Sequence, residues 1–145
     1  MSYASGEALV LTQLQSVTGF GSANTARASW QLLNSGASDH YAIVKPGTFD
    51  EDVNENFAWI NRTVIQVWQF YQDDGTSSTN LQGYVAAVKD RFTKYRKLGS
   101  TAIMDSRVVG GSEMQERWSK DGALVWLSQD VIIEWREQEI VAYAE

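Results

Sequence analysis

The sequence predicts an α+β fold: a mixed or antiparallel sheet with one long packing helix and N-terminal helices, in the order α(α)ββαββ. Three observations lead to this prediction. Apolar residues recur with a helical period at the start and in the middle of the chain, they alternate or run continuously elsewhere, and glycine-containing turns separate these segments. The 145 residues, 43% of them hydrophobic and 21% charged, suit one globular domain spanning residues 1–145.

Two helices are predicted near the N-terminus. Val10, Leu14 and Val17 fall on one stripe, which predicts a helix over Glu7–Val17 that ends at the glycines following it. A weaker helical pattern covers Thr25–Leu33, and an Asn-Ser-Gly sequence ends it.

Two strands are predicted next. A short strand, Tyr41–Val44, ends at Pro46, because proline cannot donate to a strand ladder. A long strand over Phe57–Tyr71 follows and ends at an Asp-Asp-Gly turn. An acidic loop over residues 49–56 connects the two strands.

The strongest helical pattern covers Leu81–Leu98. Thr79 and Gln82 have the spacing of a capping box, in which two side chains satisfy free backbone amides at the helix start. Basic residues fill the last turn, and Gly99 stands where a helix commonly ends.

The last third of the chain predicts a long hairpin. Its strands are Thr101–Val109 and Leu124–Trp135, with a polar loop over Glu113–Gly122 between them. Both long strands of the sheet carry apolar residues on both faces, whereas one long helix covers only one face.

The second face of the sheet therefore needs a cover. The N-terminal helices can supply it, a bulge can reset the register so that no cover is needed, or another copy of the chain can pack there. Tryptophan is enriched in the centres of interfaces, so Trp59, Trp68 and Trp126 are the candidate oligomer-interface residues.

Composition excludes several kinds of site. The chain has no cysteine, hence no disulfide, thiol nucleophile or thiolate metal site, and its one histidine, His40, cannot form a multi-histidine metal centre. We interpret His40 as a solvated loop residue, because no nucleophile motif accompanies it. The net charge of −6 argues against a domain that binds nucleic acid tightly.

Other charged groups receive structural interpretations. Pairing of Asp73 and Asp74 with Asp105 or Asp130 as catalytic acids is not forced by their spacing. The sequence therefore nominates no catalytic residue, cofactor site or metal site. A basic cluster on the long helix is interpreted as a solvated face that could meet an acidic partner; its members are Lys89, Arg91, Lys94, Arg96 and Lys97.

The acidic loop superficially resembles a calcium loop. Oxygen-bearing residues alternate from Asp50 to Asn56, but Glu55 stands where such a loop has glycine, and Asn61 where it has a bidentate glutamate. We expect a solvated loop that contributes negative charge through Asp50, Glu51, Asp52 and Glu55.

No membrane or export segment is expected. The first 15 residues lack the basic and apolar regions of a signal peptide, and no apolar stretch reaches 18 residues.

The order of elements and several local segments resemble the tail terminator family of long-tailed bacteriophages. A short N-terminal helix opens the chain, and the Tyr-x-Ile-Val-x-Pro-Gly segment at Tyr41–Gly47 precedes a long strand ending in Val67-Trp68-Gln69-Phe70. A helix of about five turns follows. A long hairpin closes the chain, with a last strand that reads Trp126-Leu127-Ser128-Gln129-Asp130-Val131-Ile132-Ile133-Glu134-Trp135.

This resemblance implies a structural virion protein of the tail or neck, made in the host cytoplasm. Tail terminators form a six-membered ring that caps the tail tube and presents a surface to the head-completion or connector protein. DNA passes through the ring without sequence-specific binding, and neither catalysis nor a cofactor is implied. The acidic loop is then expected to face the lumen or the ring surface, because an acidic conduit does not retain DNA.

Two alternatives stay open at this point. Another neck component, such as a head-closure or tail-completion protein, has a similar size and pattern. A protein of a different class, a small α+β ligand-binding or enzymatic domain, would use a tryptophan-lined second face as a pocket, with His40 and aspartates as its polar groups.

Overall fold

The computed structural model of the protein describes residues 3–51, 59–73 and 75–137. The elements in chain order are α1 (Tyr3–Leu14), β1 (Thr25–Arg27), a 3-10 helix (Trp30–Asn34), β2 (His40–Glu51), β3 (Trp59–Phe70), α2 (Ser77–Lys94), β4 (Ile103–Gly111), β5 (Gln115–Trp118) and β6 (Leu124–Glu137). The strands form one mixed sheet in the order β1-β2-β3-β6-β4, with β5 paired to β6. Among the strand pairs formed by the described residues, β1–β2 is the only parallel one. The α+β fold predicted from the sequence is confirmed.

Both helices pack on one side of the sheet, here called the first face. Trp135 of β6 is fully buried there, and its Nε1 donates to Thr63 Oγ1 of β3 at 3.1 Å. A Cβ atom at Gly6 of α1 would overlap the Trp135 ring, so glycine permits this close approach of helix and indole. The larger core residues of this face are Val10, Leu14, Ile65, Val67, Leu81, Val88, Phe92, Ile103, Ile133 and Trp135.

The opposite side, the second face, has a smaller cover. Tyr41, Ile43 and Trp68 form a separate buried cluster on this face. Residues of β1 and of the 3-10 helix pack against it, and Trp30 Nε1 donates to Gln66 Oε1 at 2.7 Å. The N-terminal segment therefore covers part of the second face from within the same chain.

The predicted second helix over Thr25–Leu33 is wrong. Thr25 begins β1 and pairs with Ala42 of β2, and the Ala28 amide donates to the Val44 carbonyl at 2.8 Å. Partners on β2 thus take up backbone groups that a helix would satisfy internally, and only the five-residue 3-10 helix remains.

The predicted end of β2 at Pro46 is also wrong. The strand continues through Pro46 to Glu51 with a register shift between Pro46 and Phe49. Strand β1 pairs with β2 only as far as Val44, so Pro46 lies where β2 is an edge strand, and proline is tolerated there.

The long helix is confirmed, but its ends differ from the prediction. It begins at Ser77, whose hydroxyl accepts from the Gln72 amide at 2.8 Å, so Thr79 lies inside the first turn and the predicted capping box is wrong. It ends at Lys94, and Gly99 belongs to the following turn. The first helix likewise begins four residues before Glu7 and ends three before Val17.

The C-terminal hairpin is confirmed, since β4 pairs with β6 in antiparallel register. The segment Glu113–Gly122 is not simply a loop, because Gln115–Trp118 forms β5 against the first half of β6. All four β5 residues are exposed, so their sequence lacks the apolar alternation that identifies a strand.

Candidate assembly surface

Four charged side chains cross the second face as an alternating row. Glu134 of β6 lies opposite both Arg62 of β3 and Arg107 of β4. Its carboxylate contacts Arg62 Nε at 3.4 Å and Arg107 Nη2 at 3.1 Å, while Arg62 Nη1 reaches Asp50 Oδ2 at 2.6 Å. The hydrogen bond to Asp50 raises the pKa of Arg62. Two acids and two bases balance in this charge row, which consists of Asp50, Arg62, Glu134 and Arg107.

Beyond the charge row, at the end of the sheet where β2 begins, the second face forms an aromatic cleft of about 450 Å³. Phe70, 42% exposed, meets the Trp126 ring edge-on at 5.4 Å. Trp68 lies next to Trp126, with ring centroids 6.3 Å apart, and is 8% exposed. The residues that line the cleft include Leu33, Asn34, Asp39, Tyr41, Phe70 and Trp126.

A second exposed aromatic site lies at the opposite end of the β2–β3 ladder. Phe49 is 65% exposed and Trp59 is 47% exposed, and their rings meet edge-on at 5.6 Å. The register shift in β2 places Phe49 opposite Asn61, whereas uninterrupted pairing would place it opposite Ile60. Phe49 therefore stands on the first-face side of the sheet with Trp59. We call these two residues the hairpin pair.

The three predicted interface tryptophans do not form one patch. Trp126 lines the aromatic cleft, Trp68 is buried next to it, and Trp59 belongs to the hairpin pair at the other end of the strands. Their interface role stays a prediction. Sequence reasoning did not nominate Phe70 and Phe49. Period-two alternation from Trp68 points to Phe70, but the position of Phe49 depends on a bulge that the sequence does not signal.

The predicted acidic loop is only partly described by the structure. Asp50 lies in β2 as a member of the charge row, and Glu51 is the last residue of β2. Asp52 and Glu55 lie outside the described residues, as do Asn54 and Asn56 of the calcium-like pattern. Within residues 3–51, 59–73 and 75–137, no group of three or more His, Cys, Asp or Glu side chains could hold a metal ion.

His40 is not the solvated residue that we expected. Its side chain is largely buried, and its ring stacks on Tyr84 of α2 at 4.1 Å. Its Nε2 donates to the Gly19 carbonyl at 2.6 Å, and its Nδ1 lies 2.7 Å from Asp39 Oδ1. The hydrogen bond with His40 lowers the pKa of Asp39, and burial raises the pKa of Tyr84. His40, at the start of β2, thus connects the loop that follows α1 and helix α2 to the sheet through its hydrogen bond to Gly19 and its ring contact with Tyr84.

This position also corrects the pocket hypothesis for a ligand-binding domain. The His40 ring packs with Phe20 and Tyr84 on the first face, so it is not a polar group of the cleft. Of the two residues Asp39 and His40, only Asp39 is in the cleft lining.

The basic cluster on the long helix is largely engaged within the chain. Arg96 binds the Asp105 carboxylate through two hydrogen bonds of 2.9 and 2.8 Å, and this contact lowers the pKa of Asp105. Lys94 binds Asp90, and Arg91 lies 3.6 Å from the ring centroid of Tyr95. Asp105 therefore takes part in an ion pair with Arg96.

In the part of the chain that the structure describes, neither helix is long and apolar enough to cross a membrane.

No protein-family model matches the chain, and no curated protein matches it in sequence. Among solved structures, the chain is similar to the sheath/tube terminator of an extracellular contractile injection system, PVC, in its extended state. The TM-score is 0.53 and the sequence identity 13%, and the match covers 100% of this chain and 62% of that protein. The chain thus spans less than two thirds of the terminator's length, and the two proteins share a fold.

Proposed function

We propose that this chain is a terminator subunit that caps the tube of a phage tail or of a phage-tail-like particle. The observation that carries this proposal is the fold that the whole chain shares with a sheath/tube terminator. The resemblance of its sequence segments to phage tail terminators supports the same role. In this proposal the chain is a structural component of the particle and performs no catalysis.

The capping unit is a homo-oligomeric ring, with six members as in phage tail terminators. Two exposed aromatic sites, the cleft beside Trp126 and the hairpin pair, support association of copies. Aromatic residues are enriched at the centres of interfaces relative to the rest of the protein surface. Trp59 and Trp126 contribute directly to this contact, and Trp68 supports Trp126 from within.

One side of the ring binds the last tube subunits and, in a phage, the other side binds the head-completion or connector protein in the neck. DNA then passes through without sequence-specific binding. A net charge of −6 supports this role, since phosphates are not attracted to an acidic lumen. We place Asp50, Glu51, Asp52 and Glu55 at the lumen or on the ring surface.

Two experiments test the terminator proposal. Light scattering after gel filtration, over a series of concentrations, measures the native mass against the 16.2 kDa chain. Electron microscopy then measures the lengths of tubes grown from the cognate tube protein with and without this chain. We expect a ring-sized species and tubes that stop growing once this chain is added. Unchanged tube growth at saturating concentration would contradict the proposal.

The lumen assignment has its own test. Charge reversal at Asp50, Glu51 and Asp52 to Lys should slow DNA ejection, because a positive lumen retains phosphates. A matched control reverses the same number of acids, Glu113, Glu116 and Asp121, in and beside β5, which leaves the acidic loop intact. Equal ejection rates for both variants would argue against a lumen position.

The aromatic cleft favours a second candidate function, binding of a small ligand. Its volume of about 450 Å³ is within the usual range of roughly 300–1,000 Å³ for ligand pockets. Quenching of tryptophan fluorescence by a small molecule in a monomeric sample would favour this function over assembly.

Another neck component remains the alternative within the same class. Binding of this chain to the portal side of the neck instead of the tube end would favour a head-closure protein.

A further inference from the structure

We propose that His40 is held as a doubly protonated, positively charged ring and that it forms a pH-sensitive clamp between the two faces of the sheet. The clamp is closed while both ring nitrogens carry protons, and it opens when one proton is lost at alkaline pH. It joins the loop after α1, at Gly19, to the rim of the aromatic cleft, at Asp39. All of these contacts lie within one chain, so the clamp operates in the monomer and in any assembly.

Both nitrogens of the His40 ring face oxygen acceptors. Nε2 lies 2.6 Å from the Gly19 carbonyl oxygen, and Nδ1 lies 2.7 Å from Asp39 Oδ1. The hydrogen bond with His40 lowers the pKa of Asp39, so the carboxyl group is ionised at neutral pH and, like the carbonyl, can only accept. A neutral imidazole donates from one nitrogen, whereas the charged ring donates from both. The charged ring is therefore the form that satisfies both contacts.

The surroundings of the ring also suit a positive charge. The His40 side chain is 13% exposed, and its ring stacks on Tyr84 of α2 with the two planes 14° apart. In the part of the chain that the structure describes, the titratable groups that face the ring are Asp39 and Tyr84. Burial raises the pKa of Tyr84, so its phenol is neutral, and Gln69, opposite His40 on β3, carries no charge. Asp39 thus supplies a balancing charge.

The Ser38 hydroxyl is the group that could serve a neutral ring instead. Its Oγ lies 3.3 Å from Nδ1, where it could donate a hydrogen bond, and it also accepts from the His40 amide at 3.3 Å. Asp39 Oδ1 is closer to Nδ1, at 2.7 Å. A lone pair on Nδ1 would therefore repel the carboxylate, and the ring or the carboxylate has to move when the proton leaves.

Movement at either end of the clamp reaches other parts of the fold. The Asp39 carbonyl accepts from the Phe70 amide at 2.7 Å and from Gln69 Nε2 at 3.2 Å, and both Asp39 and Phe70 line the aromatic cleft. At the other end, the Gly19 carbonyl also accepts from Asn24 Nδ2 at 2.8 Å. Loss of the proton is therefore expected to loosen the rim of the cleft and the loop after α1 together.

The clamp gives the stability of the chain a defined dependence on pH. The folded chain binds the ring proton more tightly than the unfolded chain does, because only the folded chain supplies both acceptors. The stabilisation is fully present below about pH 6.5, where an unfolded histidine is also protonated. It is lost at higher pH, as the ring in the folded chain gives up its proton.

Nuclear magnetic resonance tests the clamp directly. His40 is the single histidine of the chain, so histidine-specific ¹⁵N and ¹³C labelling gives one ring signal. At about pH 7.5, roughly one tenth of the rings should be protonated in urea-unfolded chain. In the folded chain we expect a protonated fraction at least about five times larger, and the Phe20 and Phe70 amide signals should shift with the ring as the pH rises. A folded ring protonated only at Nε2 at this pH, or amide signals that do not follow the ring, would overturn the clamp.

Two variants identify the group that holds the second proton. Asp39→Asn removes the negative charge, so the protonated fraction at about pH 7.5 should fall at least about threefold. Ser38→Ala is the matched control on the neighbouring residue: it removes the hydroxyl that a neutral ring would need and should leave the titration of the ring unchanged. Urea unfolding at about pH 6 shows that both variants are folded. A titration that moves in Ser38→Ala and stays fixed in Asp39→Asn would assign Nδ1 to the hydroxyl and overturn the clamp.

Discussion

The two faces of the sheet differ most clearly at two tryptophans of the same strand. Trp135 points to the first face, is fully buried under α1, and donates its indole hydrogen bond to Thr63. Trp126 points to the second face and shares its ring contacts with Tyr41, Trp68 and Phe70 beside an open cleft. The same residue type is thus enclosed by the core on one face and left partly exposed beside an open cleft on the other.

Unequal coverage causes this difference. Helices of 12 and 18 residues cover the first face, whereas a five-residue 3-10 helix covers part of the second. The exposed remainder of the second face carries the charge row and the aromatic cleft. We therefore expect substitutions of core residues on the first face to lower the stability of the chain more than substitutions of half-buried residues at the cleft.

The largest expected difference is between Trp135→Ala and Trp126→Ala. Trp135→Ala should cost about 3–5 kcal/mol of unfolding free energy, because it empties a fully buried site and leaves Thr63 without its indole partner. Trp126→Ala should cost roughly 1–2 kcal/mol, since the side chain is only half-buried. Urea unfolding at a concentration where the chain is monomeric measures both. Equal costs would contradict the contrast between the faces.

The close contact of α1 with the first face gives the next effect. Gly6→Ala should cost about 1–3 kcal/mol, because the added methyl group overlaps the Trp135 ring. Gly83→Ala in α2 is the matched control: its Cβ would meet open space, so it should gain about 0.5–1 kcal/mol from helix propensity. Thermal unfolding of both variants shows whether each substitution lowers or raises the stability of the chain. A neutral Gly6→Ala would show that α1 can move away from the sheet.

The charge row should matter more than an ordinary surface ion pair. Glu134→Gln should cost about 1–2 kcal/mol, because Arg62 and Arg107 lose the carboxylate that they share on a nearly buried side chain. Asp90→Asn breaks the exposed pair with Lys94 on α2 and should cost less than about 0.5 kcal/mol. Urea unfolding distinguishes the two, and similar values would place the charge row among ordinary surface pairs.

The smallest expected effect is the change in stability at acid pH when Asp39 is replaced. Asp39 lines the cleft on the second face and also binds His40, whose ring packs on the first face. The hydrogen bond with His40 lowers the pKa of Asp39 in the folded chain. The contribution of Asp39 to the free energy of unfolding is therefore present above its unfolded pKa of about 3.9, and it is lost as the pH falls through the folded pKa. Asp39→Asn should therefore make stability fall less steeply below about pH 4. Asp105→Asn should act in the same direction through Arg96, and a double variant should show additive effects, measured by unfolding across that range.

Sequence periodicity predicted most of the long elements and failed on the short ones, and the 12-residue strand β2 was predicted too short because proline was expected to end it. Helix α2, β3 and the β4–β6 pair were predicted because their apolar patterns extend over many residues. Strands β1 and β5 were missed, since three or four residues give too little pattern and β5 is exposed throughout. His40 was assigned to solvent because the residues that enclose it, Phe20 and Tyr84, are distant in sequence.

The sequence by itself determined the α+β class, the long helix, the long strands and the surplus of apolar residues on two sheet faces, because local periodicity records which sides of an element are buried. Only the tertiary structure decided which aromatic residues remain exposed. That outcome depends on the register shift that turns Phe49, on the short segment that covers Trp68, and on the end of the sheet at Phe70. Exposure is set by what packs against a side chain from elsewhere in the chain, and a local pattern does not contain that information.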